Sequence, residues 1–335
     1  MQDKVLITGG AGYIGSHTAW AFLDRGYRVS VLDNLSTGFR HSVPAGAQFV
    51  HADLRDAGAV REILAAERPA GVIHFAGSTV VPESVAEPAR YYANNTANSL
   101  ALFDACAEAG VGTVIFSSTA AVYGITGAAP VAETAPTVPI SPYGWSKLFT
   151  ERMLQDIAHA RGFSAGVLRY FNVAGADADL RTGQLTRGAT HLIKVAVEVA
   201  VGARAAIELF GDDYDTPDGT CVRDFIHVSD LADAHVLAFE RLHAGGGHLL
   251  LNCGYGRGYS VRQVLDAVGA LAGPVSVRRA PRRPGDAPSV VADTRALRAA
   301  LPWQPRYREL GDIVASALAW ERTQRAPERT MAESA

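Results

Sequence analysis

The chain has 335 residues, 48% of them hydrophobic and 19% charged, with a net charge of −3 at neutral pH. This is the make-up of a globular protein with room for about two domains, and it gives no electrostatic reason to expect nucleic acid or an anionic membrane as partner. Cys106, Cys221 and Cys253 are far apart and odd in number, and no apolar run reaches the about 18 residues of a membrane span, so disulfide-framework, zinc-ribbon and membrane-spanning classes are excluded.

The chain runs directly into a strand at 4–8, with no signal-like apolar region before it, so a cytoplasmic enzyme is expected. Gly9-Gly10-Ala11-Gly12-Tyr13-Ile14-Gly15 follows, and then an apolar helical stretch through Ile14, Ala19, Phe22 and Leu23. Both Gly-x-Gly-x-x-Gly and Gly-x-x-Gly-x-x-Gly can be read there. Either spacing allows a tight turn whose backbone N–H groups approach a pyrophosphate at a helix N-terminus. A second strand at 28–32 ends in Asp33, 18 residues after Gly15, where a carboxylate would take a ribose 2′-hydroxyl. The same carboxylate would repel a 2′-phosphate, so NAD is expected rather than NADP; Arg40 is not adjacent.

Further strands are expected at 47–50, 71–75, 112–117, 165–170 and 248–252, with helical segments between them. That alternation predicts an α/β fold with a doubly wound parallel sheet, whose ligand crevice lies at the strand carboxyl ends. Polar or small clusters fall at those ends: Gly9–Gly15, Asp33-Asn34, Asp53-Leu54, Phe75-Ala76-Gly77, Ser117-Ser118-Thr119 and Tyr170-Phe171-Asn172. Asp53 has a structural alternative, capping the helical stretch that follows.

Ser141-Pro142-Tyr143-Gly144-Trp145-Ser146-Lys147 sets a phenol and an ammonium four residues apart, one turn apart on a helix face. A cation about 6 Å away, at an effective dielectric near 20, favours a phenolate by roughly 3 kcal/mol, or about 2 pK units. A second cation, such as an oxidised nicotinamide, would bring Tyr143 towards neutrality, where it serves as a proton-transfer catalyst.

After about residue 175 the pattern loosens into a polar stretch at 177–189, helices near 190–202, 229–243 and 260–271, turns at 211–219 and a basic proline-containing run at 278–288. The expected division is a Rossmann domain from 1–175 plus about 226–255, with a smaller substrate domain from about 176–225 plus 256–325. A polar, frayed tail is expected from residue 325 onward. His74, His191, His227 and His235 lack ligand spacing, so no metal is expected.

The motifs GGAGYIGSH (9–17), DNLSTG (33–38), VIHFAG (72–77), FSSTAAVYG (116–124), SPYGWSK (141–147), LRYFNVAGA (168–176), TPDGTCVRDFIHVSDLADAH (216–235) and RRPGD (282–286) span nearly the whole chain. With them the chain resembles the UDP-galactose (UDP-glucose) 4-epimerases of the extended short-chain dehydrogenase/reductase superfamily. The glycine turn and Tyr-x-x-x-Lys mark only the superfamily; RYFNVAGA followed by DGT-x-VRD-x-IHV-x-DLA lies closer to the epimerase branch. The resemblance implies a tightly held NAD, regenerated each turnover, and inversion of C4 of a UDP-sugar through a transient 4-keto intermediate. It implies catalytic roles for Tyr143, Lys147 and Thr119, although Thr119 also reads as a strand-end or capping hydroxyl.

Cofactor contacts are implied for Gly9, Gly12, Tyr13, Ile14, Gly15, Asp33, Asn34, Ser36, Gly38, Asp53, Leu54, Phe75, Ala76, Gly77, Asn94, Ser117, Tyr143, Lys147, Tyr170 and Phe171. Substrate contacts are implied for Thr119, Tyr143, Asn172, His191, Leu192, Phe210, Arg223, Arg283, Asp286 and Val290. Leu192 and Phe210 also read as core, and Arg283 as part of a solvated basic run. The helices near 92–109 and 143–161 match those of a homodimer interface in relatives, and would equally pack within one chain.

Three positions depart from the family pattern. Thr79 stands where many relatives have a lysine near the cofactor, and Pro82 replaces a usual glycine. Val290 stands where some carry a tyrosine, which leaves volume for an N-acetylated sugar. A 4-epimerase of UDP-N-acetylhexosamine or of a UDP-pentose is therefore an alternative. A nucleotide-sugar 4,6-dehydratase is disfavoured, because Ala120-Ala121 stand where that class has Asp-Glu. A non-catalytic nucleotide-sugar sensor is disfavoured by the intact Thr119, Tyr143 and Lys147.

Overall fold

The computed structural model describes residues 3–127, 129–283 and 285–325. The expected tail therefore lies outside the described residues beyond Arg325. Thirteen strands occur in chain order: β1 Lys4–Thr8, β2 Arg28–Asp33, β3 Gln48–His51, β4 Gly71–His74, β5 Thr113–Thr119, β6 Ser164–Tyr170, β7 Asn172–Ala174, β8 Ile207–Phe210, β9 Val222–His227, β10 His248–Cys253, β11 Gly258–Ser260, β12 Val277–Ala280 and β13 Ser289–Val290. The α-helices are α1 Tyr13–Asp24, α2 Ala57–Glu67, α3 Val81–Ala86, α4 Pro88–Tyr91, α5 Asn98–Glu108, α6 Pro142–Arg161, α7 Leu192–Ala200, α8 Val228–Gly245, α9 Val261–Ala272, α10 Arg295–Ala300 and α11 Leu310–Thr323.

Seven strands form one parallel sheet in the order β10-β6-β5-β4-β1-β2-β3. The order reverses at β1, so the crevice expected of a doubly wound sheet opens between the carboxyl ends of β1 and β4. Helices cover both faces, which is why these strands are apolar almost throughout rather than alternating. In β1, Val5 and Ile7 enter one core with Phe22 and Phe239, while Leu6 enters the other with Leu64, Val72 and Phe116. Each such buried side chain contributes about 1.5–3 kcal/mol of transfer free energy. Gly71 is required on this sheet, since a Cβ there would meet the Phe239 ring at 2.4 Å.

Beyond β6 the chain builds a second, smaller layer. β9 pairs with β11 antiparallel and with β7 and β13 in parallel, and β8 pairs with β12. Buried Asp224 in β9 ties this layer together by accepting N–H bonds from Tyr255, Gly256 and Ala292 at 3.0, 2.9 and 3.2 Å. The carboxylate thus anchors the segments that follow β10 and β13, and with them Val290 and the RRPGD motif.

Candidate active site

The glycine turn comes first in the site. Gly9 has φ +70°, and a Cβ on it would meet the Ala76 backbone at 2.6 Å. Gly12 caps α1, and a Cβ on Gly15 would lie 2.3 Å from the Gly9 carbonyl. Gly10 is crowded too, since a Cβ on it would meet Val31 at 2.7 Å, so both spacings are built into the turn, and Gly9 is the one that needs a positive φ. No side chain caps α1, so its first-turn N–H groups point into the crevice with the positive end of the helix dipole. Asp33 accepts N–H bonds from Ala11 at 3.0 Å and Leu35 at 2.8 Å, one on each oxygen. A carboxylate has about four acceptor positions, so two remain for ribose hydroxyls. Arg40 lies with its guanidinium 4.6 Å over the Phe49 ring. These residues fit a dinucleotide without a 2′-phosphate.

Asn34 and Asp53 meet at 2.8 Å, and the Asn34 side chain also accepts the Ser36 N–H. Arg55 clasps Asp53 through its backbone N–H and guanidinium, and holds its carboxyl well below the usual range. The capping alternative for Asp53 is corrected here: Asp56 caps α2, through the Ala59 N–H at 3.0 Å. Gly38 packs where a Cβ would meet Ala11 at 2.9 Å, and Leu54 is buried. Phe75 stacks on His235 at 4.8 Å, and His235 in turn meets the Ser117 hydroxyl at 2.9 Å.

Helix α6 is capped by Ser141, whose hydroxyl accepts the Gly144 N–H at 3.2 Å, with Pro142 in the first turn. Gly144 has no room for a side chain: a Cβ would meet the Ala121 carbonyl at 2.8 Å. This close approach sets Tyr143 against the end of β5, beside the Thr119 hydroxyl. Thr119 also accepts the Ala121 N–H at 3.1 Å, so its capping and catalytic readings coexist. Lys147 is buried one turn on. Its Nζ donates to the Ser117 carbonyl at 3.1 Å, lies 4.7 Å over the Phe116 ring, and is 3.6 Å from where a Gly77 side chain would begin.

One expectation needs correction. Burial raises the Tyr143 phenol above 10, and the Thr119 hydroxyl is the group that pulls it down. Lys147 is turned to the Ser117 carbonyl, and burial outweighs the help its charge gives Tyr143. Burial also draws Lys147 down to about 8, against the Glu151 carboxylate, which pulls it up.

On the substrate side, two pairs of expected residues meet. Arg223 Nη2 lies 3.6 Å from Asp286, while its Nη1 donates to the carbonyls of Val222 and Ala287 at 2.8 Å. Arg283 lies 3.6 Å over the Phe210 ring. Val290 is the β13 partner of Arg223 in register. Asn172 donates to the Asp224 carbonyl at 3.3 Å, and His191 meets Gln184 at 3.0 Å in front of Leu192, the first residue of α7. Burial lowers His191, so it is neutral at pH 7. Tyr13 donates to the Gly175 carbonyl at 2.7 Å, and Ile14 is the next residue of α1. Burial raises Tyr170 far above its ordinary value, so it stays protonated beside half-buried Phe171.

Several residues were not legible in the motifs. Tyr92–Ala97 winds as a π-helix, a local break in register often found at functional sites. Within it Asn95 accepts the Ser78 N–H at 2.7 Å and donates to the Ser78 carbonyl and the Ser146 hydroxyl at 2.9 and 3.1 Å. Asn94 donates to the Ser78 hydroxyl at 3.0 Å. The segment after Gly77 is thereby locked to α6. Thr79 is exposed, and Pro82 sits in the first turn of α3, where its missing N–H costs nothing.

The chain matches the NAD dependent epimerase/dehydratase family over residues 5–254. It is 55% identical over 323 residues to a UDP-glucose 4-epimerase of Azospirillum brasilense, covering 96% of this chain and 93% of that one. The crystal structure of a Brucella ovis UDP-glucose 4-epimerase in complex with NAD superposes with a TM-score of 0.92 at 45% identity, covering 95% of this chain and 98% of that one. A UDP-Glc/GlcNAc 4-epimerase of Campylobacter jejuni superposes with a TM-score of 0.84 at 44% identity, covering 96% and 99%.

Proposed function

The chain belongs to the NAD dependent epimerase/dehydratase family, among its UDP-glucose 4-epimerases, and on that footing we propose which residues invert C4 of a UDP-sugar and how. The enzyme uses NAD and passes through a transient 4-keto sugar. The chemistry that NAD supplies when bound is acceptance of the C4 hydride and its return to the opposite face. Tyr143 as phenolate takes the proton of the sugar 4-hydroxyl and later gives it back. Thr119 hydrogen-bonds the 4-oxygen and relays that proton. Lys147 would hold the nicotinamide ribose, and its charge favours the phenolate. Because burial holds Tyr143 high, the positive charge of the oxidised nicotinamide is the further contribution this assignment requires.

The observation that carries the assignment is buried Tyr143 beside buried Thr119 at the end of β5, with buried Lys147 one turn away on α6. A chain that only sensed nucleotide sugars would have no use for a shielded acid–base group beside a dinucleotide cradle. Incubating the purified protein with UDP-galactose and no added NAD tests it. Formation of UDP-glucose without net NADH is the expected result; binding without conversion would favour a sensor, and stoichiometric reduction of NAD a dehydrogenase. Elimination of water is not expected, since Ala120 and Ala121 in the turn after β5 exchange no proton.

Inversion requires the 4-keto sugar to turn over while the nucleotide stays fixed. Arg223 with Asp286, and Arg283 with Phe210, are proposed to hold the UDP portion, helped by Asn172, His191 and Leu192. Arginine suits this role because its planar fork matches phosphate oxygens. Val290 leaves the sugar end roomy, and turnover of UDP-N-acetylglucosamine as well as UDP-glucose is proposed. A panel of UDP-hexoses, N-acetylhexosamines and pentoses decides the range.

The proposed division of labour gives NAD to residues 1–175 with about 226–255, and the UDP-sugar to the remainder up to about 325. A homodimer through α5 and α6 is also proposed. A groove of about 540 Å³ runs between them, its apolar floor of Ala97, Leu100, Ala101, Ile157 and Ala160 flanked by Asp104, Asp156 and Arg161, with Leu100 and Phe149 each 45% exposed. Sedimentation that gives a monomer at micromolar concentration would refute the dimer. The cytoplasm is the proposed compartment, in keeping with three free, buried cysteines.

A further inference from the structure

A second set of contacts lies behind Lys147 and takes no part in the chemistry above. Tyr143, Lys147 and Glu151 follow at i, i+4 and i+8 on α6, so all three share one face. Successive residues at the end of β5 sort onto them. The Thr119 hydroxyl meets Tyr143, the Ser117 carbonyl accepts from Lys147, and the Ser118 hydroxyl donates to Glu151.

Glu151 is buried, and it also accepts from Arg169 Nε at 2.9 and 3.2 Å and from Arg169 Nη2 at 2.6 Å. Arg169 Nη1 donates to the Tyr123 hydroxyl at 3.0 Å, and that hydroxyl donates to Asn252 at 2.6 Å. Five elements thus converge to fix one carboxylate in an apolar interior. Buried ion pairs add little to stability over an apolar pair of similar volume, so the fold alone does not account for this one. Lys147 does account for it. Its ammonium is buried with a single acceptor among the described residues, and burial favours the neutral amine. A carboxylate one turn along the helix opposes that.

We propose that Glu151, clamped by Arg169 and Ser118, is a positioning residue that keeps Lys147 protonated and so sets the alkaline edge of activity. The inference rests on the reading of Lys147 as the cation that supports Tyr143. The other ionisable groups around Lys147 are Tyr143 on α6, His74 from β4, Tyr170 and Arg169 from β6, Tyr123 from the turn after β5, and Tyr91 from α4 with Glu83 from α3. His74 is held neutral, and Tyr91 bonds Glu83 at 2.8 Å. Glu151 is the anion among them that pulls on Lys147.

The test exploits a peculiarity of composition: Lys4, Lys147 and Lys194 are the only lysines in the chain. Lysine labelled with ¹³C at Cε gives three resonances, assignable by replacing Lys4 and Lys194 in turn with arginine. The Lys147 titration midpoint is then compared between the native holoenzyme, Glu151→Gln, and the double variant Glu151→Gln/Arg169→Gln. The double variant leaves no unpaired charge and keeps the net charge constant, so it is the informative one should the single variant fail to fold. The expected result is a midpoint lower by about one pH unit in Glu151→Gln and by a smaller amount in the double variant, where loss of the Arg169 charge offsets part of the fall, with the alkaline limb of kcat/KM moving in step. A folded double variant with an unchanged Lys147 midpoint would overturn the proposal. The titration is read independently of turnover. A native protein that does not epimerise would sink the functional assignment while leaving the Glu151 question decided.

Discussion

Tyr143 is the residue on which a single atom has the largest consequence. Removing its hydroxyl in Tyr143→Phe deletes the proton acceptor without disturbing a buried ring, and kcat is expected to fall by about 10²–10⁴-fold. Rates measured with UDP-galactose under saturating conditions check this. Lys147 gives the pH dependence. Its folded value of about 8 lies below its ordinary 10.5, so activity that needs the ammonium falls as pH rises through about 8. The same group affects stability with the opposite sign, because between about 8 and 10.5 the unfolded chain binds the proton that the native one has lost, so its contribution to stability grows over that window. Activity and melting temperature measured across pH 7–10 are thus expected to diverge. At Val290, substitution by Tyr fills the sugar end and is expected to cut turnover of N-acetylated substrates at least tenfold while sparing UDP-glucose; equal losses on both would refute the volume argument. Tyr143, Lys147, the glycines and Asp33 were legible because each role depends on local spacing. Asn95 and Glu151 were not, because their partners Ser78, Ser146, Ser118 and Arg169 come together only in the folded chain. The burial that raises Tyr143 was not legible for a related reason: spacing shows that Lys147 is near, but only the folded chain shows how deeply the phenol is enclosed.

At the level of elements, the turn between β1 and α1 is the most constrained. A methyl on Gly15 would clash with the Gly9 carbonyl, so Gly15→Ala is expected to cost about 1–3 kcal/mol and to reduce the NAD retained. Melting temperature and cofactor content of the purified variant measure both. The start of α6 is a milder case: Ser141→Ala removes a capping bond worth about 1 kcal/mol. The strands of the main sheet were legible to within a residue or two, because both faces are buried and each strand reads as an apolar run between turn residues. The strands of the second layer, β7, β8, β9, β11, β12 and β13, were not: all but β9 are pieces of two to four residues that carry no period, and β9 lies in a stretch interrupted by Arg223 and Asp224. The π-helical turn at Tyr92–Ala97 was hidden inside a segment that reads as ordinary helix. Its freed carbonyl at Asn95 is taken up by the Thr150 hydroxyl at 3.0 Å, and that contact lies 55 residues away.

The whole molecule carries its pH sensitivity in its interior. His17, His74, His227 and His235 are all buried, and burial lowers them to about 4, 3, 3 and 4 from the usual 6.5. Each contributes stability that is complete above pH 6.5 and is lost as pH falls towards 4, where the unfolded chain binds protons the native one refuses. The melting temperature is therefore expected to drop steeply between pH 6.5 and 4; a flat profile would mean these imidazoles are less well shielded. None of this touches the central assignment, which is that hydrogen leaves C4 and returns to the same carbon within one closed site. UDP-galactose carrying deuterium at C4, converted in ordinary water and analysed by mass spectrometry and NMR, measures that directly. Deuterium retained at C4 of the UDP-glucose formed is the expected result. Loss of the label to solvent would contradict the account, because it would mean that C4 is inverted by proton exchange rather than by hydride transfer.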